Sequence, residues 1–221
     1  MTLQATEPAH CVFCSIVAGD TEANWEVRPN RGVSVVCFHN RLKWAPVMLL
    51  VIPTEHMSQA DLWSSSALLN VTTLAVEMGN KHCGPEGFRV VSNFGRVAHQ
   101  SQFHAHLHVI SGTSSLEEEA SQKLQEIKTI DPESTYDMTF DIGEKPFLIK
   151  IASVNTSDQR ELWGSAQILN AARTALELSN KYSPDGFRLI SSFDPEESTP
   201  SAESGSAGLF LLGGGQLDLY V

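Results

Sequence analysis

His104, His106 and His108 stand two residues apart, separated by Ala105 and Leu107 and followed by Val109 and Ile110. Alternation of this kind is the mark of a strand, where same-face neighbours lie about 6.5–7 Å apart. The three imidazoles then share one face, while Ala105, Leu107 and Val109 pack on the other. A neutral imidazole is nucleophilic at nitrogen, transfers protons near neutral pH and binds metal ions, so a row of three has several chemical uses. Cys11 and Cys14 form a second group of interest, because their two-residue gap suits a metal site or a redox pair. Four cysteines in 221 residues are too few for a disulfide scaffold, and no thioredoxin-like strand and helix flank the pair. Cys37 and Cys83 read as small buried fillers.

The histidine row does not stand alone. Asn93, Gly95, Gln100 and Ser101 precede it, Leu50-Val51-Ile52-Pro53-Thr54-Glu55-His56 lies earlier, and Cys11-Val12-Phe13-Cys14, Phe38-His39-Asn40 and Ala45-Pro46 come in order before that. In order and spacing this half of the chain resembles the histidine triad superfamily of nucleotide hydrolases and transferases.

That resemblance implies roles. His106 is the candidate nucleophile, taking a nucleotidyl group at the α-phosphorus and passing it to water or another acceptor. His108 matches the position that contacts the phosphate, where a preorganised donor stabilises developing charge. Gln100 and Ser101 match residues of the phosphate loop, and Asn93 one near the ribose. In relatives with this cysteine pair, the remaining metal ligands are the counterparts of His56 and His104. Cys11, Cys14, His56 and His104 would therefore make a closed tetrahedral zinc site, structural because no position is left for water.

Three positions depart from the pattern. Asn40 stands where relatives often carry an acid that binds both ribose hydroxyls, so it keeps one donor and one acceptor but not two strong acceptors. Met48 replaces a frequent Gly-His step. His99 replaces a glycine of the phosphate loop, adding a side chain where the backbone usually comes close.

Several elements must hold these residues in place. Residues 33–38, 48–52, 88–92 and 103–110 read as strands, and residues 57–82 as a helix. In the second half, residues 138–142, 147–152, 187–191 and 209–212 read as strands and 158–181 as a helix. Between the halves, residues 116–127 read as an amphipathic connecting helix.

The two sets repeat one sequence. Asp61-Leu62-Trp63 recurs as Glu161-Leu162-Trp163, and Pro85-Glu86-Gly87-Phe88-Arg89-Val90-Val91-Ser92 as Pro184-Asp185-Gly186-Phe187-Arg188-Leu189-Ile190-Ser191. The expected fold class is α+β: two HIT-like repeats, each an antiparallel sheet with one long helix. Residues 1–128 form the domain with the active site, and 129–221 a degenerate copy. In that copy Thr156 stands for His56, and Ser206, Gly208 and Phe210 stand for His104, His106 and His108. No histidine or cysteine occurs from Thr129 onward. The loop over 195–204 is acidic and rich in Ser and Pro, and its charge would repel a phosphate. Relatives pair two protomers edge to edge, so the fused copies are expected to pair as an intramolecular pseudo-dimer in a monomer, with homo-oligomers through other surface still open.

Composition narrows the functions. A net charge of −11 and the lack of a Lys/Arg-rich run argue against a nucleic-acid polymer as partner, while a small nucleotide needs only local donors. No apolar segment near the start or elsewhere has the length of a membrane span, so the expected location is the cytoplasm. The leading expectation is a nucleotide-binding hydrolase working through a nucleotidyl-His106 intermediate. Two alternatives are a nucleotidyltransferase or phosphorylase resembling galactose-1-phosphate uridylyltransferase, and a non-catalytic zinc-stabilised nucleotide-binding module.

Overall fold

The computed structural model describes residues 10–112, 136–141, 146–153, 155–195 and 207–218. The connecting helix expected over 116–127, residue Ser206, and all but the first residue of the acidic loop over 195–204 lie outside them.

Among the described residues, nine antiparallel strands form one sheet: β1 (Trp25–Val27), β2 (Val35–His39), β3 (Met48–Pro53), β4 (Phe88–Phe94), β5 (Leu107–Ser111), β6 (Tyr136–Asp141), β7 (Phe147–Ser153), β8 (Phe187–Phe193) and β9 (Gly208–Gly213). Their order across the sheet is β1-β2-β3-β5-β4-β8-β9-β7-β6. This is an α+β fold with an antiparallel sheet and few helices. The halves meet where β4 pairs with β8, from Phe88 opposite Phe193 to Phe94 opposite Phe187, and Val91 faces Ile190, its own counterpart in the repeat.

Apolar residues occupy both faces of the central strands. Val35, Cys37, Leu49, Val51, Val90, Leu107 and Val109 join the core beneath the long helices. Their neighbours Val36, Phe38, Leu50 and Ile52 instead meet Cys11, Phe13 and Ile16 of the N-terminal segment. A strand buried on both sides reads as a continuous apolar run, which is why Met48-Leu49-Leu50-Val51-Ile52 shows no polar alternation.

Each long helix is broken near its start. Where one helix is expected over 57–82, the chain forms α2 (Gln59–Trp63) and α3 (Ala67–Cys83). Ser58 and Asp61 cap α2 reciprocally, and the Ser64 and Ser65 hydroxyls return to the carbonyls of Ala60 and Leu62, competing with the helix ladder just where it stops. The second half repeats the break, with α4 (Gln159–Gly164) capped by Asp158 and then α5 (Gln167–Tyr182). A further short helix, α1 (Val12–Ala18), begins at Cys11 and ends at a left-handed Gly19. No helix among the described residues is long and apolar enough to cross a membrane.

The strand expected over 103–110 is formally β5 only from Leu107. His104 makes an isolated bridge to Ser58, and the Ala105 amide donates to the Met57 carbonyl at 2.8 Å. The segment stays extended, so the alternation of faces survives. Its partners at this end are the turn before α2 and a glutamine side chain rather than a neighbouring strand.

Candidate active site

Cys11 caps α1 and Cys14 lies one turn on, so both thiols project to the same side. His56 comes from the turn after β3, and His104 from the approach to β5. The four ligand atoms all lie within 4.8 Å of one another. Cys14 Sγ is 3.2 Å from His56 Nδ1 and 3.5 Å from His104 Nδ1, and Cys11 Sγ is 3.5 Å from His104 Nδ1. Bond lengths to a tetrahedral zinc ion would separate such atoms by about 3.3–3.8 Å, so the donor set and its spacing fit a metal ion. His104 Nε2 donates to the Pro53 carbonyl at 2.9 Å, which fixes the tautomer and leaves Nδ1 as the ligand atom. Burial, more than its neighbours, pushes the His104 imidazole down to about 4 and so keeps it neutral, as a metal ligand must be. Burial and the adjacent Cys11 push the Cys14 thiol up to about 11.

His104, His106 and His108 are all at most 5% exposed. His106 is oriented through three hydrogen bonds. Its Nδ1 donates to the His104 carbonyl at 2.8 Å, which leaves the Nε2 lone pair available. Gln59 grips its backbone on both sides, accepting from the His106 amide at 2.8 Å and donating to the His106 carbonyl at 2.7 Å. The same Gln59 nitrogen reaches Ser92 Oγ at 2.6 Å, tying the clamp to β4. The Phe13 ring meets His106, His104 and Phe38 edge-on, with centroids 5.4–5.8 Å away. Burial holds the His106 imidazole below its ordinary range, opposed only by the bond to His104.

His108 sits opposite Leu50 on β3 and Val91 on β4. Burial first, then His106, then Arg188 keep its imidazole neutral, well below the usual value. His106 and His108 open into a cleft of about 770 Å³. Its floor is apolar, with Phe13, Ile16, Phe38 and Leu50, while Asn40, Arg41, Lys43 and Ser101 supply polar groups around the mouth.

The expected site residues thus divide into three groups. Cys11, Cys14, His56 and His104 come together as one cluster, and His106, His108, Ser101 and Asn40 line the cleft. Asn93 and Gln100 lie buried and bonded to protein groups: Gln100 accepts from the Gly95 amide at 2.8 Å and donates to the Gln102 carbonyl at 2.9 Å, and Asn93 accepts from Arg188. Asn40 Oδ1 is already engaged by the Leu42 amide at 3.1 Å, so its oxygen shapes its own loop. His99 has a left-handed φ of 61° and is held there by its ring Nε2, which donates to the Leu217 carbonyl at 2.7 Å.

Sequence reasoning passed over Gln59, Phe13, Arg188 and a carboxylate cluster beside the cleft. Glu26 Oε1 is 2.9 Å from His39 Nε2, and its Oε2 is 2.8 Å from both Lys81 Nζ and His82 Nε2. Lys81, then His39, hold its carboxyl down to about 2. Two of these left a signal in the repeat: Arg188 recurs from Arg89, and Gln59 recurs as Gln159 beside Glu161-Leu162-Trp163. Gln159 clamps Gly208 in the same way, with both bonds at 2.8 Å. Phe210 takes the place of His108, opposite Ile190 and Lys150, and Lys150 Nζ stands 5.5 Å above its ring.

A backbone-clamped histidine in an antiparallel sheet, flanked by two more and opening on a cleft, defines a histidine triad protein. The chain belongs to the HIT family: the model of the HIT domain matches residues 33–115. The adenosine 5′-monophosphoramidase of Schizosaccharomyces pombe is 33% identical over 100 residues, covering 45% of this chain and 72% of the relative. A HIT-like protein of Methanocaldococcus jannaschii is 30% identical over 103 residues, covering 45% and 77%. Among solved structures, an ADP-glucose phosphorylase from Arabidopsis thaliana with bound ADP-glucose superposes over 99% of this chain and 84% of its own, with TM-score 0.61 and 14% identity. A GalT-like protein from the same plant covers 95% and 82%, with TM-score 0.58 and 13% identity. At such identity these two likenesses are of fold.

Proposed function

We propose that this protein is a nucleotide hydrolase that cleaves a nucleoside phosphate derivative at the α-phosphorus through a nucleotidyl-His106 intermediate. The observation that supports it most is the orientation of His106, whose Nδ1 proton is committed to the His104 carbonyl at 2.8 Å while the ring borders the cleft. Nε2 attacks phosphorus, the N–P bond forms, and the bond to the leaving group breaks. Water then attacks the same phosphorus, and the P–N bond breaks to release the nucleoside monophosphate and free His106. His108, neutral and beside the nucleophile, is the phosphate partner, with Ser101 at the mouth. Asn40 and Asn93 remain the candidates for the ribose and Gln100 for the phosphate loop, which its two bonds keep in shape.

Zinc is the ion that the two thiolates and two imidazoles suit best. When bound it would be structural, holding α1 against the His104 turn. We read residues 1–128 as the catalytic HIT domain and 129–221 as a degenerate HIT-like copy, the two forming an intramolecular pseudo-dimer. The pairing of Val91 with Ile190 and the matched clamps of Gln59 and Gln159 support this. The protein then works as a cytoplasmic monomer on small nucleotides.

The test is a quench experiment with adenosine phosphoramidate labelled in the nucleotide. An acid-labile adduct on the wild type, missing from His106→Ala, is the expected result; an equal adduct in both overturns the reading. The likeness of fold over 99% of the chain to an ADP-glucose phosphorylase favours a second reading, nucleotidyl transfer to phosphate. Product formation that requires added phosphate would distinguish it.

A further inference from the structure

The second half supplies a charged side chain to the neighbourhood of the triad. Arg188 lies on β8, is fully buried, and faces Asn93 in the β4–β8 register. Its Nε donates to Asn93 Oδ1 at 2.8 Å, and its Nη2 donates to the Asp218 carbonyl at 2.9 Å, so the guanidinium is held from two sides.

This contact decides which way round the asparagine stands. A guanidinium donates and never accepts, so the amide beside it must present oxygen to the arginine and turn its nitrogen away. That nitrogen, Asn93 Nδ2, is buried on a residue only 1% exposed and has no hydrogen-bond partner among the described residues. Buried donors are rarely left unpaired, because desolvating one without a partner outweighs what an ordinary hydrogen bond gains. β4 lies between β8 and β5. Asn93 is two residues along from Val91, on the same face, and Val91 pairs with His108. A nitrogen turned away from β8 is turned toward the side on which His106 and His108 stand.

The arrangement occurs at one end of the seam only. Arg89 is the counterpart of Arg188 in the repeat, but it faces Ser192 in the register and donates to the carbonyls of Ser111 and Gly112 instead. The end with histidines has an arginine and an asparagine; the end without them has no amide to orient.

We propose that Arg188 is a positioning residue of the active site: by holding the oxygen of Asn93 it aims Nδ2 at an oxygen of the bound nucleotide, so the half without histidines completes the pocket of the half that has them. The inference rests on the nucleotide reading above. The proximity of Arg188 to His108, enough to help hold that imidazole neutral, accords with it.

Calorimetry with AMP and steady-state kinetics with adenosine phosphoramidate, on variants whose thermal unfolding shows them folded, test it. Arg188→Met is expected to weaken AMP binding and raise KM by about tenfold while kcat changes much less, because a contact made equally in ground and transition states is lost. Asn93→Ala should do the same, and adding Arg188→Met to Asn93→Ala should cost nothing more, since the arginine acts through the asparagine. Wild-type AMP affinity in Arg188→Met, or losses that multiply in the double variant, overturns the inference. If Arg188→Met does not fold, unchanged AMP affinity in Asn93→Ala overturns it equally. Turnover by the wild type with no effect of either substitution would sink this inference alone. AMP binding without turnover would sink the hydrolase reading alone, and a wild type that does not bind AMP sinks both.

Discussion

Gln59 is what holds His106, the proposed nucleophile. Its amide closes both backbone hydrogen-bonding groups of His106 and reaches Ser92 as well, so it does for this residue what a neighbouring strand does elsewhere in the sheet. In Gln59→Leu those groups stay buried and unpaired, and a loss of about 2–5 kcal/mol in stability is expected. Freedom of the ring by even ~1 Å should lower kcat about 10- to 100-fold, a drop measurable beside the unfolding midpoint of the same variant. Gln59→Glu should fall between, because a carboxylate still accepts from the His106 amide but cannot donate to its carbonyl. Glu26 gives a pH prediction at the same scale. Its carboxyl is held down from 4.5 to about 2 by Lys81 and His39, so the charged form is favoured in the folded chain. The stability it contributes is present above pH 4.5 and is lost as the pH falls toward 2. Glu26→Gln should therefore cost ~1–2 kcal/mol at pH 7, less than the shift alone implies because the half-exposed Lys81 is screened by solvent, and should make no difference near pH 2. Equal destabilisation at both pH values would contradict this account.

At the scale of elements, α1 is seven residues long and is anchored at its start by two thiols. A helix so short does not stand alone in water, and its apolar contacts are Phe13 and Ile16 against Val36, Phe38, Leu50 and Ile52. A metal ion held by Cys11, Cys14, His56 and His104 at its first turn would supply the remaining constraint. Elemental analysis of the purified protein is expected to give about one zinc per chain. Removing it with a chelator should lower the unfolding midpoint and loosen Phe13 from His106, raising KM as well as lowering kcat; Cys14→Ser should behave the same way without chelator. A full complement of zinc in Cys14→Ser would argue that the ion sits elsewhere. The cluster was legible in sequence because family spacing carries it, and so were the triad and the repeat, which are local patterns. The break between α2 and α3 was legible in principle from Ser64, Ser65 and Ser66, since serines compete for backbone carbonyls, but the apolar period runs through them. The clamp of Gln59 on His106, the Glu26 cluster and the pairing of Arg188 with Asn93 were not, because each joins residues from separate elements whose meeting depends on how the sheet is ordered.

For the molecule as a whole, the seam between β4 and β8 is what joins the two halves into one sheet. Phe88 stacks on Phe193 with ring centroids 4.4 Å apart, Phe94 on Phe187 at 4.1 Å, and Trp63 meets Trp163 edge-on at 6.2 Å. All six rings are at most 7% exposed, and Arg160 lies over two of them while bonding Asn80 across the halves. If the second half were removed, β4 would become an open edge with two phenylalanines bare beside it, the kind of edge that pairs with another chain. A chain ending at residue 128 is therefore expected to dimerise through β4 or aggregate, and the full chain to run as a monomer, with light scattering as the measure. Its AMP affinity should stay low even in a dimer held by two copies of β4, unless Arg89 of one copy can reach Asn93 of the other as Arg188 does here. That condition is met by the register, in which Arg89 and Arg188 are equivalent, so dimerisation and recovery of AMP binding should rise together with protein concentration. A truncated chain that stays monomeric at high concentration and still binds AMP as well as the full chain would mean that the second half is needed neither to cover the edge nor to complete the pocket.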